Sequence, residues 1–198
     1  MKRNVLLGAV VMLLITAIGV GQTNSRDTLS SALLTQEKVR ELLSDQWVIK
    51  TVGQLDQEPE ASISAQATFV NAQTEIELVD ALLAFEGVDP GRAFLEAVLG
   101  ADAVTETRDL LAEAEGSPEL LTEQLLTESD ALFLLSLEGA RQQLFQRRGS
   151  LIMFMRTPAE GSGALGLEQI VSLADAQLGK VLELCESAES APGFCARP

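Results

Sequence analysis

One stretch constrains the fold of this chain more than any other, and it runs from Ala131 to Met155. Two apolar runs, Leu144-Phe145 and Leu151 to Met155, flank the polar break Arg147-Arg148-Gly149-Ser150. Glycine adopts positive φ without steric cost, so Gly149 favours a tight reversal between two strands. A run that is apolar at every position, as from Leu151 to Met155, is typical of a strand in the middle of a sheet. The stretch therefore predicts a β-hairpin, with a third strand at Leu132 to Leu137.

The segment from Leu167 to Cys185 has the clearest helical periodicity in the chain. Apolar residues recur at the i, i+3, i+4 and i+7 spacing, and the opposite side carries Glu168, Gln169, Ser172, Asp175 and Lys180. This pattern predicts an amphipathic helix that packs its apolar side on another layer. We therefore predict an α+β fold, in which an antiparallel sheet carries this C-terminal helix on one face. The alternative is a mostly α-helical bundle, because residues 79–126 also fit helical spacing throughout.

The first half of the chain contains one clear strand and one segment that the pattern leaves open. Apolar and polar residues alternate from Ile63 to Phe69, which predicts a half-exposed strand, and a turn at Asn71-Ala72-Gln73 follows. Residues 75–86 fit either a strand or a helix. The strand interpretation, which we favour for Glu75 to Val79, places Asp80 on the polar side of the strand.

Two helix starts are signalled in the same half. Thr35 is a suitable N-cap for a helix that carries Val39, Leu42 and Leu43, and a short strand at Trp47 to Ile49 follows. Asp89-Pro90 predicts another helix, because aspartate caps a helix and proline fits its first position. We expect this second helix to bury Ala93, Phe94, Ala97 and Val98.

The N-terminal residues have the features of an export signal. Lys2-Arg3 precede an apolar run from Val5 to Val20, which is short for a membrane span of about 20 residues and suits a signal-peptide core. We predict a signal peptide or N-terminal membrane anchor at residues 1–21, a polar linker at 22–31 and a single globular domain at 32–198. The protein is then exported, and it is periplasmic, extracellular or anchored to the outer face of the cytoplasmic membrane.

Composition excludes several classes of function. The chain has 14 basic and 29 acidic residues and a formal net charge of −15, which repels nucleic acid and anionic membrane surfaces. It contains no histidine, so the Ser-His-Asp and Cys-His catalytic schemes and the common zinc sites are excluded. The glutamates spaced along residues 106–128 form no calcium-binding loop and are typical of a solvated helix face. We predict no cofactor, no metal site and no catalytic residue.

The two cysteines predict a disulfide. Cys185 falls at the end of the predicted C-terminal helix, and Cys195 lies close to the C-terminus. In an exported chain with an even number of cysteines, the simplest pairing is an intramolecular Cys185–Cys195 bridge. A redox pair or an intermolecular bridge is the alternative, but redox pairs favour C-x-x-C spacing.

Basic residues gather on the predicted hairpin. Arg141, Arg147, Arg148 and Arg156 lie on or next to it, and no acidic residue lies between the first and the last of them. Guanidinium groups bind carboxylate and phosphate in a bidentate manner, so these four are the candidate binding residues. Their partner would be an envelope protein or a small anionic ligand. They would otherwise neutralise the acidic middle of the chain or keep the hairpin edge soluble.

The order of motifs in the second half is distinctive. A strand ends in Phe145-Gln146-Arg147-Arg148-Gly149-Ser150, and an apolar strand, a glycine-rich loop and a helix containing Leu173-Ala174-Asp175-Ala176-Gln177 follow. This order resembles that of uncharacterised exported bacterial proteins, in which an "fRrG" hairpin precedes a C-terminal helix with an "LA-x-x-Q" core. The resemblance, from Ser129 to Leu184, implies the helix-on-sheet fold of the PsbP type and of kinase extracellular sensor domains. It implies no catalytic residues.

Two functions remain after these exclusions. The first is an exported, non-enzymatic cell-envelope protein that binds a protein or a small ligand through its sheet face or its arginine-rich hairpin. The alternative is a hydrolase or lyase that uses Asp/Glu acid–base chemistry without histidine. Paired carboxylates in an apolar cleft would favour the enzyme. No acidic pair lies inside an apolar run, so the sequence favours the binding module.

Overall fold

A computed structural model describes residues 26–56, 59, 62–99, 130–137, 141–158, 164–187 and 193–195. They form a six-stranded antiparallel sheet with the strand order β1-β2-β3-β6-β5-β4. The strands are β1 (Trp47–Gly53), β2 (Ser62–Asn71), β3 (Glu77–Phe85), β4 (Ala131–Leu137), β5 (Arg141–Arg148) and β6 (Leu151–Pro158). The helices are α1 (Gln36–Leu42), α2 (Val88–Leu99) and α3 (Leu167–Ser187), and residues 26–31 are also helical. The predicted α+β fold is confirmed, and the helical-bundle alternative is wrong.

The hairpin forms as the sequence predicts. β5 and β6 pair in antiparallel register from Arg141 opposite Pro158 to Arg148 opposite Leu151. Gly149 in the turn has a φ of 58°, which is the left-handed conformation that glycine adopts most easily. β4 adds to β5 as the predicted third strand. Because β6 also pairs with β3, it lies in the middle of the sheet, as its uninterrupted apolar run indicates.

The sheet has a separate apolar core on each face. On one face, α3 and the chain from residue 26 to 43 cover β-strand side chains that include Phe69, Leu82 and Met153, and we call this larger cluster the main core. On the other face, Leu95 of α2 packs with a smaller cluster made of Leu83, Phe85, Phe145 and Ile152. Directly opposed residues of an antiparallel pair point to the same face, and the pairing of Leu82 with Met153 and of Leu83 with Ile152 fits this division.

The segment that the pattern left open is a strand from Glu77 to Phe85, so it continues well past Val79. β3 lacks the alternation of apolar and polar residues because it is a central strand, in which every residue from Leu78 to Phe85 is buried. The prediction that Asp80 lies on an exposed polar side of this strand is therefore wrong, because Asp80 is 0% exposed.

α2 begins at Val88, one residue before the expected aspartate cap, and its predicted buried side needs a correction. Leu95 is buried and Phe94 is half-buried, whereas Ala93 and Ala97 are exposed and Val98 is 47% exposed. The helix lies against the cluster around Phe85, whose ring centroid is 5.5 Å from that of Phe94. This contact selects a helix face one residue away from the predicted one.

The domain boundary also needs a correction. Residues 26–31, which the polar composition assigned to a linker at 22–31, are helical, and Leu29 is completely buried in the main core. Leu29 packs in a cluster with residues of β2, β3 and α3, which the linear sequence does not bring together. Residues 26–31 are therefore part of the folded core and not a linker. The predicted export segment at 1–21 and the solvated helix face predicted along residues 106–128 lie outside the described residues.

The C-terminus folds back on α3. A disulfide joins Cys185 to Cys195 with their Cα atoms 5.5 Å apart, and it confirms the predicted pairing. Between them, Phe194 in a short 3-10 turn is buried in the main core. The bridge thus holds an apolar side chain of the tail against the end of the last helix.

Candidate functional site

The four arginines that the sequence singles out do not form one cluster. Arg147 and Arg148 end β5 next to the turn, whereas Arg141 and Arg156 lie towards the opposite ends of their strands. Arg141 and Arg147 are six positions apart in β5, which corresponds to about 20 Å along a strand. Arg147 and Arg148, as consecutive strand residues, also point to opposite faces of the sheet. The side chain of Arg141 lies outside the part of the chain that the structure describes.

Arg147 is engaged by the hairpin itself. Its Nη1 donates to the Gly149 carbonyl at 3.0 Å and lies 3.4 Å from Oδ2 of Asp130. The same Asp130 oxygen accepts the Gly149 backbone N–H at 2.6 Å. These contacts tie the start of β4 to the turn, so the role of Arg147 in the structure is to brace the hairpin.

Arg156 lines an open cavity of about 300 Å³ at the ends of β3 and β6. Two exposed carboxylates, Glu75 and Glu77, line the same cavity, and Glu77 forms an ion pair with Lys50. An anion entering this cavity would meet two negative charges beside the guanidinium group. The arrangement is therefore poorly suited to a small anionic ligand.

A second polar site lies in the main core, at the centre of β3. Asp80 sits between Ala67 of β2 and Met155 of β6 in the sheet register. Its Oδ2 accepts the backbone N–H of Leu34 at 2.6 Å, and its Oδ1 accepts a hydrogen bond from the Gln177 amide on α3. This carboxyl thus joins three elements that are far apart in the sequence.

Lys180, one turn after Gln177, completes the arrangement. Its Nζ donates to the carbonyl of Leu33 at 2.8 Å. The Leu33 carbonyl and the Leu34 N–H belong to one peptide group, so Asp80 and Lys180 hold the two ends of a single peptide dipole. The negative group faces the N–H and the positive group faces the C=O, which is the favourable orientation. We refer to Asp80, Gln177, Lys180 and the Leu33–Leu34 peptide as the peptide clamp.

The environment of Asp80 changes its acidity. Complete burial removes the carboxylate from water and raises the pKa of Asp80 from 3.8 to about 7. The hydrogen bonds from Leu34 and Gln177 and the charge of Lys180 oppose this shift in part, because they stabilise the ionised form. Asp80 therefore changes its charge near neutral pH, at a position closed to solvent.

A shallow cleft of about 370 Å³ lies directly over the peptide clamp. Its walls come from residues 30–37, from β1 and from α3, and its lining includes Leu33, Leu34, Ala67 and Lys180. Two apolar side chains at its rim are unusually open, with Ile49 41% exposed and Val52 59% exposed. Both belong to β1, which is an edge strand of the sheet.

The first half of the β1 edge is closed by α1. Arg40 Nε donates to the Trp47 carbonyl at 2.8 Å, and the Ile49 N–H donates to the Gln36 side chain at 2.7 Å. A β-bulge at Lys50 follows, since Ile49 lies opposite Phe69 and Thr51 lies opposite Thr68. Bulges and lysines are devices by which natural edge strands avoid unwanted pairing.

No described element covers the second half of the β1 edge. Trp47, Ile49 and Val52 lie opposite Asn71, Phe69 and Ala67, which are alternate residues of β2. Backbone groups in an antiparallel ladder point alternately towards and away from the partner strand. The N–H and C=O of Val52 therefore point outward, as those of Trp47 and Ile49 do, and they have no partner among the described residues. The bulge also places Ile49 and Val52 on the same face, beside the cleft.

Sequence patterns did not identify these residues as a site. Asp80 and Lys180 were both assigned to exposed polar faces, and the open edge of β1 depends on the strand order. One signal was available: Asp80 is the one charged residue in the run from Leu78 to Phe85. Gln177 is the glutamine of the "LA-x-x-Q" core, so the motif that carried the resemblance supplies a hydrogen-bond donor to the buried carboxyl of Asp80.

The described residues contain no group of three or more Cys, Asp or Glu side chains placed to hold a metal ion. Among the helices described, none has the length and hydrophobicity needed to cross a bilayer.

Comparison with known proteins gives little similarity. No family model matches the chain, and no curated protein matches it. Among solved structures, the crystal structure of the extracellular domain of PknH from Mycobacterium tuberculosis has a TM-score of 0.43 and 12% sequence identity, covering 80% of this chain and 96% of that domain. These values are too low for the likeness to indicate a family or a function.

Proposed function

We propose that this protein is an exported, non-enzymatic interaction module of the cell envelope, and that it binds an extended segment of a partner protein along the open part of β1. One observation carries the proposal. Val52 is 59% exposed on an edge strand, and the register of β1 with β2 directs its N–H and C=O away from β2. Edge strands with free backbone groups bind peptides by adding a strand to the sheet. The predicted export signal and the disulfide support the location.

Side chains beside the open edge suit an apolar partner residue. A strand added alongside Thr51 to Gly53 would pair with the backbone of Val52 and place one side chain at the rim between Ile49 and Val52. Backbone pairing supplies affinity, whereas the pocket for the side chain supplies specificity. The bulge at Lys50 and the cover of α1 limit pairing to this short stretch. A short, partly covered edge favours a specific partner over indiscriminate association.

A protein partner fits better than a small anionic ligand. Of the candidate arginines, Arg147 braces the hairpin turn, and Arg156 shares its cavity with Glu75 and Glu77. Each of these two guanidinium groups therefore lies beside at least one carboxylate. The exposed apolar pair on β1 is the more distinctive surface.

A binding role also fits better than acid–base catalysis. The carboxyl with a pKa near neutrality is Asp80, and it is 0% exposed, so a substrate cannot reach it in this conformation. Glu75 and Glu77 are exposed in an open cavity, and Glu77 is paired with Lys50. Neither position has the paired carboxylates in an apolar cleft that would favour the enzyme.

Site-specific photo-crosslinking tests the proposal. A photoreactive residue placed at Ile49 should give a discrete adduct with a partner protein in cells of the organism that makes this protein. The matched control carries the same residue at Val98, which is similarly exposed at 47% but lies on α2. It should give no such adduct. Equal labelling from Val98 would contradict a specific role for β1.

A second change separates strand addition from simple apolar contact. Val52→Pro removes the outward N–H without removing a hydrogen bond to β2, because proline is tolerated on edge strands at positions whose N–H faces outward. The Ile49 adduct should disappear in this variant while its thermal melting stays close to that of the unsubstituted protein. An unchanged Ile49 adduct in Val52→Pro would rule out strand addition. If the protein binds a small molecule in place of a protein, no protein adduct should form from Ile49 with or without Val52→Pro.

A further inference from the structure

The peptide clamp links the charge of one buried carboxyl to the position of the N-terminal arm, which we define as residues 26–43. Asp80 and Gln177 hold the Leu34 end of the clamped peptide, and Lys180 holds the Leu33 end. The clamped peptide lies between the helical residues 26–31 and α1, so it is the central attachment of the arm.

The charged groups around Asp80 are few. From α3, Lys180 acts on it, and from the arm it receives the Leu34 N–H. Its neighbours on β2 and β6, Ala67 and Met155, are uncharged. Of the charged residues of α1, Lys38 pairs with Glu41, Arg40 donates to the Trp47 carbonyl, and Glu37 is exposed.

We propose that the clamp is a proton-operated latch, in which the arm is held most firmly when Asp80 carries a proton and opens more often when Asp80 is ionised. In the closed state an ionised carboxylate is cut off from water, and it recovers its hydration only when the arm lifts. A protonated Asp80 avoids that cost. Rotation of the Gln177 amide would let it accept the proton of Asp80, so both charge states have hydrogen-bond partners.

Apolar contacts limit the movement. Leu29, Leu33, Leu34 and Val39 of the arm are all buried in the main core, and these contacts favour the docked arm in both charge states of Asp80. What changes is the fraction of time that it is open. The arm also forms a wall of the cleft beside β1 and supplies Gln36 to the β1 edge. Opening would therefore uncover more of that edge.

The size of the effect follows from proton linkage. If Asp80 has its ordinary pKa of 3.8 in the open state and about 7 in the closed state, opening becomes about tenfold more frequent between about pH 6 and about pH 8. Hydrogen–deuterium exchange of the segment 29–35, corrected for the intrinsic pH dependence of exchange, measures this directly. We expect its protection factor to fall by about tenfold over this range.

Three variants make the test specific. Asp80→Asn should remove the pH dependence of protection. Lys180→Met should lower protection at every pH, because it removes the hydrogen bond to the Leu33 carbonyl. It should also move the pH at which protection changes upward, because Lys180 lowers the pKa of Asp80. Asp175→Asn is the matched control: burial also raises the pKa of Asp175 on α3, but this residue is not part of the clamp, so the tenfold change should remain.

Two results would overturn the latch. One is equal protection of segment 29–35 at the two pH values in the unsubstituted protein. The other is the same tenfold change in Asp80→Asn. Should that variant fail to fold, carboxyl titration by ¹³C NMR in the unsubstituted protein decides the question. A midpoint for Asp80 near neutrality supports the latch, and one in the ordinary aspartate range rules it out.

Discussion

Asp80 has its unusual acidity because of where the strand order places it. A carboxyl group on an exposed strand would keep its hydration, but β3 lies between β2 and β6 with α3 and the arm above it. Burial raises the pKa of Asp80 to about 7 even though two hydrogen bonds and Lys180 favour the ionised form. At this residue, desolvation outweighs the local stabilising contacts.

The stability of the folded protein should therefore depend on pH through this residue. Because the folded-state pKa of Asp80 lies above its unfolded value of 3.8, the folded state binds more protons, and the contribution of Asp80 to stability falls as pH rises from about 4 to about 7. Between about pH 5 and about pH 8 this contribution should decrease by roughly 3 kcal/mol. Urea denaturation at the two pH values measures the change.

Asp80→Asn serves as the control for that measurement. Asparagine cannot ionise, and with Gln177 rotated it still offers a carbonyl to the Leu34 N–H. The variant should thus lose the Asp80 component of the pH dependence and exceed the unsubstituted protein in stability at about pH 8. If the two proteins have parallel stability profiles over this range, Asp80 does not titrate as described.

At the scale of elements, the β5–β6 turn depends on the backbone conformation of one residue. Gly149 has a φ of 58°, and its N–H is held by Asp130. Gly149→Ala should lower the free energy of unfolding by about 1–2 kcal/mol, because a Cβ atom is disfavoured in the left-handed region. Gly149→Asn should lose less, since asparagine visits this region more easily. Equal losses in thermal denaturation would contradict the conformational explanation.

The C-terminal disulfide stabilises the end of α3 and the docking of Phe194. It closes a loop with a sequence separation of 10 residues. Replacing either cysteine with serine should lower the free energy of unfolding by roughly 1–3 kcal/mol without unfolding the domain, since the closed loop is short. Thermal denaturation checks this, and reduction of the unsubstituted protein should give a similar loss. Insensitivity to reduction would show that the bridge contributes little to stability.

At the scale of the whole molecule, prediction succeeded where the signal lies within one element or between neighbours in the chain. Gly149 indicated the turn, the period of α3 indicated its amphipathic face, and Cys185 and Cys195 indicated the bridge. Prediction was less successful for β3 and α2. A central strand loses its alternation, and the buried side of a short helix depends on the surface that it meets.

The contacts of the candidate site could hardly be predicted from the sequence, because they join residues that are far apart in the chain. The peptide clamp joins residues separated by 46, 97 and 147 positions in the sequence. A sequence pattern reports the average polarity of a face, and it cannot report which polar side chain of that face will meet a buried partner. The open half of β1 likewise follows from the strand order, because any strand of this composition would be paired on both sides in the middle of a sheet.

The sequence by itself therefore determined the class of fold, the hairpin, the last helix and the disulfide, because hydrophobic periodicity, glycine and cysteine act locally. Tertiary structure decided that Asp80 is buried, that residues 26–31 belong to the domain and that β1 is an edge strand of the sheet that the described residues form. Each of these depends on which elements become neighbours. Burial, and with it the pKa of a carboxyl, is a property of the assembled layers and not of any one segment.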